Sequence, residues 1–359
     1  MPALFLPDRI VVSRSPPRYD RPLTSSRTSP PLSDPLIQPE VIPLHAAAPD
    51  PVLLPDPSSV FSDRAERFEH FALRTPEQRP FFAFMAKLAR AQHAAAAWSL
   101  SRGLPRGLPD PQALAIRHAH RMPILPAGLA DRDGSWVRTL RAVLEESETL
   151  AADADMPTAA AVARRALHAS SDAELDRIGS ALLAHDYESV PAEAVPWIAA
   201  GLQTWWVTAI ASLGRDAVRP LDIATVCPCC GSLPVASLRR IGGMQQGLRY
   251  LVCSLCATQW HMVRVKCSHC ESTAGIGYLT LSNDPDSEAG KAAATREVVK
   301  AEVCDECSSY LKLISLESDS QADPVADDLA TLALDLLIDE KGYMRVGPNL
   351  FIHPGAIVT

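Results

Sequence analysis

All nine cysteines of this 359-residue chain fall between positions 227 and 307. Eight of them form four Cys-x-x-Cys pairs: Cys227/Cys230, Cys253/Cys256, Cys267/Cys270 and Cys304/Cys307. Successive pairs are separated by 22, 10 and 33 residues. Two residues between cysteines let a tight turn aim both thiolates at one ion while turn amides donate to the sulfurs. Two such knuckles complete a tetrahedral four-sulfur site, so four pairs predict two sites. A clustered array in a long chain points to metal; a disulfide framework belongs to short secreted domains.

The intervening residues suggest how the pairs combine. After Cys230 come "PVASLRRI", the Gly-rich "GGMQQG" and "LRYLV", which read as strand, turn and returning strand with a knuckle at each end. The second unit repeats the plan with "IGYLTL", the long loop "SNDPDSEAGKAAAT" and "REVVKAEV". Trailing strands follow, "TQWHMVRV" and "YLKLISLE", with Trp260 and Tyr310 four and three residues past the last cysteine of each unit. This is an internal duplication of a zinc-ribbon or rubredoxin-like module. Sequential pairing is favoured because an interleaved cross-brace, the alternative, leaves each hairpin without closure. Cys229, inside the first turn ("CPCCGS"), reads as a spectator: as a ligand it would shrink the loop and lose Gly231 as the turn's relief. His261 and His269 flank sites that eight cysteines already satisfy, so they read as neighbours rather than ligands. Four thiolates suit zinc or iron equally in geometry and leave no open position for Lewis-acid catalysis. Metals that only brace a small β domain with little core are the plainer interpretation.

Other elements must carry these modules. The predicted class is α+β: an N-terminal all-helical domain, two tandem rubredoxin-like/zinc-ribbon β modules and a C-terminal helix. Residues 1–58 hold 14 of the 31 prolines and read as an extended or disordered leader. Residues 59–220 are Ala- and Leu-rich with helical periodicity, enough for six or so helices. Ser171 with Glu174 is a capping-box signature, and "PAEAVPWIAAGLQTWWVTAIASL" reads as the buried central helix with Pro196 in its first turn. Phe81, Phe82, Phe84, Trp205 and Trp206 read as core, and His118, His120, His168 and His185 as ordinary histidines without ligand spacing. The ribbons span 221–266 and 267–318, followed by a C-terminal helix and tail over 319–359. In that last segment Asp323 caps a helix that begins at Pro324, with Val325, Leu329, Leu332 and Leu336 on one stripe expected to pack on the ribbons or the helical domain, direct contact with a partner being the alternative. The pair Asp327–Asp328 is expected to face away from it, near the helix N-terminus.

Composition narrows the function. The net charge of −8 gives no electrostatic pull toward nucleic acid or anionic lipid. Residues 227–315 carry nine Lys/Arg and eight Asp/Glu, and each thiolate-bound divalent ion adds about −2, so a loaded module is acidic. No run approaches the ~20 apolar residues of a membrane helix, and "MPALFLPDRIVVSRSPPRYD" is a poor secretory signal, so a cytoplasmic protein with no nucleic-acid or membrane partner is expected. No nucleophile–base pair or phosphate loop is evident, so the chain does not read as an enzyme.

"CPCCGSLPVASL", "QGLRYLVCSLCATQWHMVRVKCSHCE", "AEVCDECSSYLKLI" and "DPVADDLATLALDLLIDEKGYMRVGPNLF" closely resemble the formate dehydrogenase accessory protein FdhE family, and the likeness extends to "DRAERFEHFA" and "LLAHDYESVPAEAVPWIAAGLQTWW". It covers roughly residues 60 to 359; the leader lies outside it, and Cys229 replaces a usually apolar residue. The resemblance implies a non-catalytic factor that binds the molybdopterin-containing catalytic subunit of respiratory formate dehydrogenase before export. It also implies two metal ions, iron held in a rubredoxin-like manner or zinc, with Cys227, Cys230, Cys253, Cys256, Cys267, Cys270, Cys304 and Cys307 as ligands. A rubredoxin-like electron carrier and a zinc-ribbon nucleic-acid binder are the alternatives.

Overall fold

The computed structural model describes residues 11–15, 49–128, 134–150, 156–241, 247–282 and 297–354. Seven α-helices fill the described residues between 59 and 220: α1 (Val60–Arg74), α2 (Arg79–Ser101), α3 (Pro111–Ala119), α4 (Ser135–Leu150), α5 (Thr158–Ala169), α6 (Asp172–Leu183) and α7 (Val195–Leu213). The expected local signals are present. Ser171 Oγ accepts the Glu174 amide at the start of α6, and Pro196 lies in the first turn of α7, where no donor is lost. Because α7 is apolar on almost every face it is buried along nearly its whole length, with α2, α4 and α6 packed around it. Trp206 and Trp197 are in its core, while Phe82 and Phe84 join from α2. Gly201 marks a close crossing, since a Cβ there would come within 2.7 Å of Leu140 Cβ on α4.

Among the described residues the strands form one nine-stranded sheet rather than two free-standing ribbons. Its strands are β1 (Val11–Ser15), β2 (Val52–Leu53), β3 (Pro234–Arg239), β4 (Arg249–Cys253), β5 (Gln259–His261), β6 (Ile276–Ser282), β7 (Val299–Cys304), β8 (Ser309–Ser315) and β9 (Met344–Arg345). The order is β1-β6-β7-β8-β3-β4-β5-β2, with β9 also on β8. Each unit is the antiparallel meander anticipated, β3-β4-β5 and β6-β7-β8. They fuse where β3 and β8 run parallel in the register Ser237↔Leu313, Leu238↔Ile314, Arg239↔Ser315. Fusion removes an exposed edge from each module, which two separate ribbons would each have to protect.

The expected leader contributes the two outer strands: Val11–Ser15 pairs antiparallel with β6 and Val52–Leu53 with β5. The remainder of residues 1–48 lies outside the described residues, as do most of the expected "GGMQQG" turn and the loop over 283–296. No helix among the described residues is long and apolar enough to cross a membrane.

The C-terminal segment departs from expectation. Asp323 does cap it, accepting from the amides of Val325 and Ala326. The helix then breaks at Thr331 into α8 (Pro324–Ala330) and α9 (Leu332–Asp339). Thr331 Oγ1 bonds back to the Asp327 carbonyl, and the buried Lys312 ammonium takes the Asp328 and Thr331 carbonyls, which a continuous helix would use internally. Asp327 and Asp328 point inward, contrary to the sequence reading. Arg67 of α1 grips both oxygens of Asp327 at 2.6 and 2.8 Å, and Lys312 and Arg345 meet Asp328 at 3.1 and 2.7 Å. Guanidinium and ammonium groups delivered from distant segments supply the counter-charge that allows those carboxylates inside. Leu336, expected on the apolar stripe, is only half-buried, while Leu332, Leu334 and Ile338 of α9 are buried.

Candidate metal centres

The eight paired cysteines gather into two groups of four, in chain order. Cys227, Cys230, Cys253 and Cys256 form the first, and Cys267, Cys270, Cys304 and Cys307 the second; within each, all sulfurs lie within 4.8 Å of one another. In the first, Cys227 Sγ is 3.5 Å from Cys256 Sγ and Cys230 Sγ is 3.3 Å from Cys253 Sγ. In the second, Cys267–Cys307 and Cys270–Cys304 are both 3.7 Å apart. A tetrahedron of sulfurs 2.3 Å from a central ion has edges of about 3.8 Å, so both cages fit a zinc- or iron-sized ion with little movement. The interleaved cross-brace is not what the chain adopts.

Each knuckle is made by the same local device. After the second cysteine of every pair, the backbone enters the left-handed region: Gly231 (φ 78°), Ala257 (φ 55°), Glu271 (φ 60°) and Ser308 (φ 50°). In the first and third knuckles that turn returns an amide to the first cysteine's carbonyl, Gly231 to Cys227 at 2.8 Å and Glu271 to Cys267 at 3.2 Å. It also points turn amides at sulfur. Cys229 N–H donates to Cys227 Sγ, Leu255 and Cys256 N–H to Cys253 Sγ, and His269 and Cys270 N–H to Cys267 Sγ, all at 3.3–3.4 Å. Such bonds orient the thiolates and disperse their charge. Only Gly231 announced this geometry by its residue type; the other three positions are recognisable because they occupy the same place in the repeat.

Burial and crowding set the acidity of these thiols. Burial pushes Cys227 and Cys253 well above the ordinary cysteine range, and pushes Cys304 up to about 12. For Cys256 burial acts the same way, yet donation from the surrounding thiols brings it well below that range. At Cys267 burial is likewise outweighed, chiefly by the amides of Cys270 and His269. Four thiolates cannot share so small a space without a cation, which is the chemistry a metal supplies. A closed four-sulfur shell leaves no open coordination position.

The residues that hold the first group against the helical body were not foreseen. Leu125 and Ala127, on the loop after α3, donate their amides to the carbonyls of Cys229 and Cys230 at 2.8 and 2.9 Å. Gln203 of α7 donates to the Ser254 carbonyl at 2.7 Å and accepts from Arg64 at 3.0 Å. An amide in the otherwise apolar stretch "PWIAAGLQTWW" was the available signal. Cys229 itself is buried beside the first group, outside the set of four. His261 stacks edge-on against Tyr250, and His269 is exposed. His118 bonds the Ala217 carbonyl and His185 faces Tyr187.

Comparison with known proteins bears on the whole chain. Family models described as "FdhE, N-terminal", "FdhE, central domain" and "FdhE, C-terminal domain" match residues 49–222, 226–264 and 265–352. A "Protein FdhE homolog" of Pseudomonas aeruginosa is 39% identical over 328 residues, covering 90% of this chain and 99% of the relative. One from Pseudomonas putida is 37% identical over 321 residues, covering 89% and 95%. The crystal structure of the FdhE protein from Pseudomonas aeruginosa superposes with a TM-score of 0.72 at 35% identity, over 85% of this chain and 99% of that one. The cysteine-bearing units occupy the central and C-terminal domains of that family, and the chain belongs to the FdhE family.

Proposed function

We propose that this chain is an accessory protein for formate dehydrogenase, acting in the cytoplasm by binding the enzyme's catalytic subunit, with its eight paired cysteines holding two ions, iron or zinc. One observation carries the reading: two closed four-sulfur cages stand in a chain that matches FdhE from residue 49 to residue 352. Cages without an open coordination position suit holding or exchanging an ion or an electron better than activating a substrate. A factor of that kind acts on another protein, which fits a role in maturation. The ligand role of Cys227, Cys230, Cys253, Cys256, Cys267, Cys270, Cys304 and Cys307 belongs to the same proposal.

The test is co-purification. Tagged full-length chain is expected to retain a formate dehydrogenase catalytic subunit under aerobic or anaerobic conditions and to carry two equivalents of metal by elemental analysis. Absence of the subunit under both conditions overturns the client role, and absence of metal overturns the ligand role. Cys227→Ser combined with Cys230→Ser is expected to remove one equivalent and leave the other.

A further inference from the structure

The two cysteine groups are copies of one unit, so each serves as a reference for the other, and their surroundings differ sharply. In the first group all four cysteines are buried, and so are the turn residues Pro228, Cys229, Ser254 and Leu255. The helical body holds both of its knuckles, through Leu125 and Ala127 on one and Gln203 on the other. Pro123 closes over Gly231, its Cγ only 3.2 Å from where a Cβ would stand. In the second group Cys267 and Cys304 are buried, Cys307 is half-buried and Cys270 is exposed. The turn residues His269, Asp305 and Glu306 are exposed as well.

Ligand exchange at a filled four-thiolate cage needs an incoming donor to approach while one sulfur leaves. At the first group such an approach requires the helical body to lift from the sheet, a large-scale opening. At the second, Cys270 already meets solvent on the outside of its turn, and only a local turn must yield.

We propose that the second group, Cys267, Cys270, Cys304 and Cys307, is the exchange centre, where the protein accepts an ion from, or yields it to, an external thiolate or aminocarboxylate-type ligand. The first group is a closed anchor between the helices and the sheet. This rests on the reading of the eight cysteines as metal ligands. Cys270 is the sulfur that would give way first: its bond to the ion would break as the incoming donor's forms, and the bonds to Cys267, Cys304 and Cys307 would be replaced in turn by further donors of the incoming ligand, which carries the ion away. No electron moves in this step.

The experiment uses the full chain loaded with two equivalents of zinc and challenged with the chromogenic chelator 4-(2-pyridylazo)resorcinol in the presence of N-ethylmaleimide. Two phases of one equivalent each are expected, separated by roughly 100-fold in rate, as local and large-scale opening differ. Peptide mapping is expected to find alkylation during the fast phase at Cys267, Cys270, Cys304 and Cys307. The slow phase is expected to label Cys227, Cys230, Cys253 and Cys256. In Cys270→Ser the fast equivalent is expected to be lost while the slow one persists at its original rate. Release of both equivalents in one phase, or earlier alkylation of the first group, overturns the inference although both ions bind. A chain that takes up no zinc overturns the ligand reading beneath it, so the two failures are told apart.

Discussion

Arg249 on β4 and Glu302 on β7 meet at 2.6 Å although their strands are not neighbours in the sheet, and both are almost fully buried, at 2% and 4% exposure. Arg249 also donates to Ser237 Oγ and to the carbonyls of Val263 and Lys266, the segment that links the two cysteine units. Tyr278 donates to Glu302 from the other side. One ion pair therefore ties the first unit, the linker and the second unit together. Removing a single partner strands a buried charge, so Arg249→Met is expected to cost about 3–5 kcal/mol. Arg249→Met with Glu302→Leu is expected to cost less than the sum of the single changes. Denaturant unfolding of the four variants of the cycle measures the coupling, and strict additivity would show that the pair carries none.

The knuckle backbone offers a stabilising change. Ser308 is exposed and sits at φ 50°, a conformation that costs a residue with a Cβ about 1 kcal/mol or more. Ser308→Gly removes that cost while loosening the unfolded chain by somewhat less. The variant is expected to gain about 0.5 kcal/mol, read as a higher denaturant midpoint with metal content unchanged. A lower midpoint would mean that the serine side chain, not the turn, matters there.

In the helical body two effects oppose each other at Gly201. Alanine is the better helix former by about 1 kcal/mol. Its methyl, however, would lie 2.7 Å from Leu140 Cβ and 3.0 Å from Leu140 Cα, and the latter is backbone that cannot swing aside. Overpacking of about 1–3 kcal/mol or more wins, so Gly201→Ala is expected to be net destabilising. A midpoint at or above that of the parent chain would mean α4 and α7 separate freely.

Glu297 confers a pH dependence. Partial burial holds its carboxyl up to about 7, against the opposing pull of Lys300, and among the described residues Oε2 has no hydrogen-bond partner. The folded state therefore keeps this proton through a range where the unfolded chain, near 4.5, has released it. The resulting stability is fully present below pH 4.5 and is lost as the pH rises through 7. Because the side chain is partly solvated, the loss between about pH 5 and pH 8 is expected near 1 kcal/mol. Glu297→Gln is expected to flatten that part of the profile, and an unchanged slope would assign it to another group.

Much of the site was legible beforehand because its information is local. Cysteine spacing, strand alternation and the caps at Ser171 and Asp323 act within a few residues, so they announced two four-sulfur units and the helix starts. Hydrogen bonds and turns of that range are decided by the chain segment that makes them. What only the tertiary structure decided involves groups from 51 to 260 positions apart. The parallel join of β3 to β8 makes one sheet of two modules, and Arg67 draws Asp327 inward from 260 positions away. Leu125, Ala127 and Gln203 cover one cysteine group, while Cys270 of its twin is exposed. Burial and charge pairing depend on what else arrives at a point in space, and no short stretch of residues contains that.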